Sequence, residues 1–431
     1  MNQLHDNLGR LMVAFITAIS IQPISAATWP GFRGAAGTGV SDESELPTQW
    51  SLDKNLAWSV TLPGRGNSSP VVTSDRVYLS THTPDLGLWV LAIEKASGEL
   101  IWKEKMNSGQ LAAKGPENLW AHRHNPATST LAADESHVWA FFGTGQLYCL
   151  NKRGDIQWQR DLVKDYGEYD ITFGMGSSPR LWKGRLYINC ITKGPSYVVA
   201  LDAKTGETIW KRDRDLPAEA DGADAYSTPV VWEGSGKEEL LVAGSDHINA
   251  YDLRSGKQLW IAGGFKIKSP YGRIIASPAV SQDVIIQCAG NPGGGGLGRA
   301  IALKAGERGE ISETGRLWTI ERTAPDASTP VCYGDLAFLV RANGITLCVD
   351  LKTGEVFWEE RMAQGEYFCA AVAGDQKVYL LGTTGICTVV DASKTFRKLG
   401  ENKLPGTFYA SPAISDGMLF LRSENTLYAV R

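Results

Sequence analysis

The sequence predicts an all-β fold: an eight-bladed β-propeller of four-stranded antiparallel blades, closed into a ring by a strand from the N-terminal side. Three observations lead there. A ten-residue word ending in tryptophan recurs along the chain, and a Ser/Thr-Pro pair opens each repeating unit. The last unit contains only three strand-like runs, while a spare strand-like run lies ahead of the first unit. A fixed period of this length is the mark of a repeat architecture, in which each unit buries its apolar face only against its neighbours.

The word is clearest in LDAKTGETIW (201–210), YDLRSGKQLW (251–260) and VDLKTGEVFW (349–358). An Asp stands eight residues before the Trp and a Gly four before it. The Asp suits a strand end, where its carboxylate can accept turn amides, and the Gly supplies the positive φ of a tight turn. The Trp then falls on the following strand, where a large flat ring can bridge one sheet and the next. Looser copies end at Trp102, Trp158 and Trp318, and one replaces the Trp with Leu399. Trp102, Trp158, Trp210, Trp260, Trp318 and Trp358 thus take the repeat position, with Trp58 a seventh candidate. Half of the 14 tryptophans are committed to structure.

The markers are Ser69-Pro70, Ser178-Pro179, Thr228-Pro229, Ser277-Pro278, Thr329-Pro330 and Ser411-Pro412, with degenerate forms at Thr130-Leu131 and Ala370-Ala371. Runs such as RVYLST, RLYINC and MLFLRS begin six or seven residues later, each followed by a Gly-containing turn and a third run. Four short strands per unit are the pattern of a propeller blade. Eight markers give eight blades. The eighth lacks its outer strand, which NLAWSVTL (55–62) is expected to supply with Trp58 in the repeat position, removing an open sheet edge.

Composition sets the outer limits. With 431 residues, 43% hydrophobic and 21% charged, the chain is too apolar for disorder and too charged for a polytopic membrane protein. A net charge of −4 lacks the basic face of a nucleic-acid binder, so no nucleic-acid partner is expected. The apolar run 11–21 is too short to span a bilayer and precedes Ser25-Ala26-Ala27, small residues suited to signal-peptide cleavage. The weakly basic start, with Asp6 offsetting Arg10, also accommodates an uncleaved anchor. The expected organisation is a signal peptide over 1–27, an extension over 28–54 and one propeller over 55–431. Export to the periplasm or beyond follows, with no transmembrane segment after cleavage.

Cys149, Cys190, Cys288, Cys332, Cys348, Cys369 and Cys387 each sit in an apolar run and read as small buried residues of strands. No C-x-x-C or vicinal pair offers redox, haem or thiolate-zinc chemistry.

These repeats resemble the PQQ-like β-propeller repeats, whose motif has the form A-x-D-x-x-T-G-x-x-x-W. The stretch TWPGFRGAAGTGVSDESELPTQW with LAWSVTLPGRGNSSPVV is similar to secreted PQQ-binding-like propellers of planctomycete-type bacteria. The resemblance covers residues 29–431 and implies a fold more than an activity. It reaches two functional groups. Quinoprotein dehydrogenases would imply PQQ and calcium at the propeller centre, but this chain has neither a vicinal Cys pair nor a recognisable calcium constellation beside a catalytic Asp. The outer-membrane assembly scaffold BamB would imply a non-catalytic role, although no lipobox Cys is present.

In a propeller the loops just before the markers surround one mouth of the central channel. They supply the ligand-face candidates Arg65, Asn67, Trp120, His122, His124, Asn125, Tyr226, Arg273 and Tyr409. Cationic and aromatic residues recur there, which suits an anionic or planar ligand; loop residues satisfying one another is the simpler reading. His122 and His124 could share a metal if extended, but no third ligand is identifiable, so no metal site is expected. Gly293, Gly295 and Gly298 spell G-x-G-x-x-G between two strands rather than before a helix, which makes an enlarged turn and not a dinucleotide loop. No catalytic residue is assigned. The reading is an exported, monomeric, non-catalytic module that binds a protein, polysaccharide or small ligand; the alternative is a PQQ-dependent oxidoreductase.

Overall fold

The D-x-x-T-G words fold as tight turns for local reasons. Asp202 Oδ1 accepts from the amides of Lys204 and Thr205, both at 2.9 Å, and Asp252 and Asp350 do the same in their own turns. Gly206 turns the chain back with φ of +75°. The computed structural model describes residues 27–111, 123–291, 297–321 and 325–431.

Eight sheets result, each with its four strands in antiparallel order from the channel outward. In the first blade these are Val71–Val72, Arg76–His82, Gly87–Glu94 and Leu100–Ser108. Blades two to seven span 132–161, 180–213, 230–262, 279–321, 331–361 and 372–403. The eighth takes Ala413–Ser415, Met418–Arg422 and Thr426–Val430 and is completed by Leu56–Thr61, which lies antiparallel to the chain's last strand with Trp58 opposite Ala429. The expected eight-bladed all-β ring, with closure from the N-terminal side, is therefore what forms.

Contact between blades is made by indoles. Trp58 donates its Nε1–H to the Lys95 carbonyl of blade one, Trp102 to Lys152, Trp158 to Ala203, Trp210 to Leu253, Trp318 to Leu351 and Trp358 to Ser393, at 3.0–3.2 Å. Each acceptor lies in the turn of the following blade. The Gly of that turn meets the flat of the ring: a Cβ added at Gly98, Gly206, Gly256 or Gly354 would stand 2.6–2.7 Å from the indole. The motif glycine is thus required twice, for its backbone angle and for the closeness of the ring.

Two blades depart from the pattern. In the fifth, the insertion within ALKAGERGEISETGRLW adds a short parallel strand, Gly309–Glu310, against the outer strand Gln258–Ala262 of blade four, so that sheet has five strands rather than four. The regular turn carbonyl is replaced, and Trp260 donates instead to Glu239 Oε2 at 2.8 Å. Glu239, 1% exposed, is held at its other oxygen by Arg308 at 2.6 Å. In the seventh, the turn is one residue longer (Asp391 N–H reaches the Arg397 carbonyl), so the Trp position falls on Gly400, opposite Val389, and not on Leu399 as the sequence spacing had it. The missing indole comes from the extension, where Trp50 lies over Tyr379 with ring centroids 6.4 Å apart. Trp58–Phe420, Trp102–Tyr78, Trp210–Tyr187 and Trp358–Phe338 make the same type of contact at 5.9–6.0 Å.

The extension crosses the ring on the face opposite the marker loops. Trp29 bridges to Val72, Pro30 accepts from Ala133, Ala36 from Val231, and Val40 bridges to Ala373. Two arginines, each 1% exposed, fix it. Arg180 donates to the carbonyls of Phe32, Gly34, Ala35 and Pro229, and Arg33 to those of Gly37, Thr38, Thr329, Pro330 and Ala371. With donors this fully used, the buried guanidiniums need no carboxylate partner.

All seven cysteines are buried and unpaired. Six lie in strands, while Cys369 sits in the loop before blade seven, a correction to the strand reading. Burial pushes the thiols of Cys149, Cys332, Cys348 and Cys369 up to about 12, far from the thiolate form at neutral pH.

Gly206→Ala and Gly184→Ala separate the two demands on the motif glycine. Both positions have positive φ, but a Cβ at Gly184 meets nothing within 4 Å. Backbone strain should cost Gly184→Ala about 1 kcal/mol, and Gly206→Ala about 2 kcal/mol more because the Trp158 ring must move. Urea-unfolding midpoints of the two variants check this; equal losses would contradict the indole argument.

Candidate functional site

The marker residues meet around the channel axis and form a chain of hydrogen bonds. Ser69 N–H donates to Thr130 Oγ1, Thr130 to Ser178, Ser178 to Thr228, Thr228 to Ser277, Ser277 to Thr329, Ala370 to Ser411 and Ser411 back to Ser69, all at 2.8–3.1 Å. Seven of eight links close. The eighth, from Thr329 to residue 370, is missing because that residue is alanine.

This ring belts a cavity of about 230 Å³. Phe32 of the extension forms part of its lining from the sealed face, and Arg123, Phe173, Tyr226, Arg273, Phe368 and Tyr409 line it from the loop face. Two cation–aromatic groups shape the mouth. Arg123, from the loop before blade two, reaches the loop before blade seven, bonding both oxygens of Glu366 at 2.8 and 3.1 Å and lying 4.2 Å from the Phe368 ring. Tyr409 stacks on the same Phe368 at 6.3 Å. Arg273 pairs with Asp221 at 2.6 Å and lies 4.5 Å from Phe173 and 5.9 Å from Tyr226. Each guanidinium is thus held between a carboxylate at its edge and an aromatic ring at its face.

Among the sequence candidates, Asn67, His124, Tyr226, Arg273 and Tyr409 line the cavity. Arg65 and Asn125 stand behind it: Arg65 pairs with Glu424 at 2.8 Å, and Asn125 caps its own turn through Ala127 N–H while donating to the Arg65 carbonyl. Trp120 and His122 lie outside the described residues, as do Gly293 and Gly295 of the glycine-rich turn. Phe32, Phe173 and Phe368 line the cavity without having been singled out. Their only signal was aromatic character in marker-adjacent loops or in the extension.

His124 has both ring nitrogens engaged. The Gly174 carbonyl only accepts, so Nε2 carries the proton toward it (3.2 Å), and Nδ1 accepts from Thr128 Oγ1 (2.9 Å). Desolvation lowers its pKa to about 4. Among the described residues no three His, Cys, Asp or Glu side chains converge as a metal-binding group. Of the acids nearest the cavity, Asp221 and Glu366 are taken by the arginines and Asp326 by Ala327 N–H, while Asp224 accepts Thr172 N–H at Oδ2 and has its buried Oδ1 unpartnered. This donor set does not fit the calcium-held quinone that the repeat resemblance implies.

An unfolded histidine binds its proton near pH 6.5, whereas folded His124 does so near 4. Between those values the unfolded chain holds more protons, so stability rises with pH across the window and falls on acidification. His124→Gln should remove about 1–2 kcal/mol of the loss between pH 7 and pH 4.5, measured as the change in urea midpoint.

Comparison with known proteins places these features in context. Residues 87–360 match the family model described as outer membrane protein assembly factor BamB. The BamB of Moranella endobia is 23% identical over 257 residues, covering 58% of this chain and 57% of its own length, so the chain spans little more than half of that curated relative. The crystal structure of BamB from Moraxella catarrhalis superposes with a TM-score of 0.61 at 14% identity, covering 87% of this chain and 96% of that one. Quinohemoprotein alcohol dehydrogenase from Comamonas testosteroni gives the same TM-score and identity, covering 94% and 80%. At that identity both likenesses speak for the fold alone.

Proposed function

This chain belongs to the family described as outer membrane protein assembly factor BamB, and from that premise we propose that it is an exported, monomeric, non-catalytic module that binds at the mouth of its channel. The observation that carries this reading is the asymmetry of the channel: the extension covers one end, and the other opens through cationic and aromatic side chains. A protein partner fits best, because the mouth is built from loops of several blades and presents Tyr271 at 60% exposure beside Arg273.

Catalysis draws little support from the same residues. Asp221 and Glu366 are committed to arginines, His124 has no nitrogen to spare, and the thiols are buried. Export is supported by the apolar run 11–21 and the small residues after it, and among the described residues no helix is long and apolar enough to cross a membrane.

A photo-crosslinker at Tyr271 should capture a partner in an exporting host, while one at Lys204, on the opposite face, should not; the reverse pattern would overturn the face assignment. Purified protein given PQQ and Ca²⁺ should show no dye-linked oxidation of alcohols or sugars. Turnover would replace the binding reading with an oxidoreductase.

A further inference from the structure

The hydroxyl ring leaves a set of donors unused. Ser69, Thr130, Ser178, Thr228, Ser277, Thr329 and Ser411 are 2–4% exposed, and each hydroxyl oxygen accepts an amide from the neighbouring blade. Each therefore keeps its own O–H to donate, yet among the described residues none of the seven donates to a protein acceptor, and all seven line the cavity. At the Ala370 gap the Thr329 N–H also lacks the hydroxyl acceptor that every other link has. Arg273, with its side chain 6% exposed, adds an Nε with no partner. Among the described residues no carboxylate lines the cavity.

We propose that the channel binds a small planar carboxylate, with its charged end inside the hydroxyl ring and its flat body between the aromatic side chains of the mouth. This names the ligand class of the binding site argued above and rests on that reading. The chemistry discriminates among ligands. A cation would face oxygens already engaged as acceptors and two guanidiniums. A neutral sugar could use the same hydroxyls as donors and acceptors, but it carries no charge for the converging O–H donors to neutralise. A carboxylate only accepts, and several hydroxyl donors satisfy its lone pairs without a salt bridge. Phe173, Tyr226, Phe368 and Tyr409 supply flat apolar walls for an unsaturated body. A volume of about 230 Å³, below the usual range for drug-sized ligands, suits one substituted ring.

The test uses the full chain with benzoate, benzamide and inorganic phosphate as probes, read by calorimetry, and the variant Ser277→Ala. Ala370 shows that a marker position tolerates losing its hydroxyl, so this variant is expected to fold. Benzoate should bind saturably and at least tenfold more tightly than benzamide or phosphate, and Ser277→Ala should weaken benzoate about tenfold or more. Equal binding of benzoate and benzamide would overturn recognition of charge, and stronger binding of phosphate would overturn the planar ligand. If Ser277→Ala changes stability but leaves benzoate affinity intact, the hydroxyls only join blades and the proposal falls. Absence of binding by every probe would leave the ring to water and also defeat it, while the Tyr271 crosslink would still decide the binding reading.

Discussion

Everything in this molecule depends on an indole N–H reaching the carbonyl of a turn in the next blade. The bond itself is modest, worth about 1 kcal/mol, but it imposes conditions on both sides. The turn must present a bare glycine to the ring face, and the aspartate must hold the turn's amides so that its carbonyls point outward. The Trp stands on the outer strand, and Trp58, Trp102, Trp210 and Trp358 each also lie over an aromatic residue of their own sheet, as Trp210 does over Tyr187. Repeated around the circle, these conditions set the spacing between blades. That spacing lets the amide of one marker meet the hydroxyl of the next at 2.8–3.1 Å. The outer indoles and the inner hydroxyls are two rims of one wheel.

Function then occupies what the repeat leaves over. Residues that recur in every unit face the interfaces between blades, while those that differ from unit to unit gather at the channel mouth. Arg123 and Arg273 belong to no repeat position: Arg123 is steadied by a carboxylate and an aromatic face of one other loop, Arg273 by a carboxylate and an aromatic face of two others. Such placement needs several blades to be correctly seated before the site exists. The site is therefore a product of the assembled circle.

The sequence made the circle legible because its interactions are periodic. Eight markers, the turn words and the closing role of Trp58 could be read from spacing, since each contact joins equivalent positions of adjacent units. Contacts without a period were invisible. Phe32, Arg33 and Trp50 act on residues roughly 150 to 350 positions away, through segments that resemble no other part of the chain. Leu399 read as a lost tryptophan, whereas its blade borrows one from the extension. The grasp of Glu239 on Trp260 was hidden for the same reason, because an insertion moved the turn and a buried acid took over its acceptor role. The candidate site was half legible: loop position pointed to Tyr226, Arg273 and Tyr409, but spacing could not show that Arg123 crosses the mouth to Glu366.

The strand Leu56–Thr61 precedes every blade in the chain, yet its partner Thr426–Val430 follows all the other described strands. Until that strand is made, the growing protein carries two unsatisfied sheet edges. Closure of the ring is thus a single late event. An almost finished, still adhesive intermediate therefore persists until the closing strand is made.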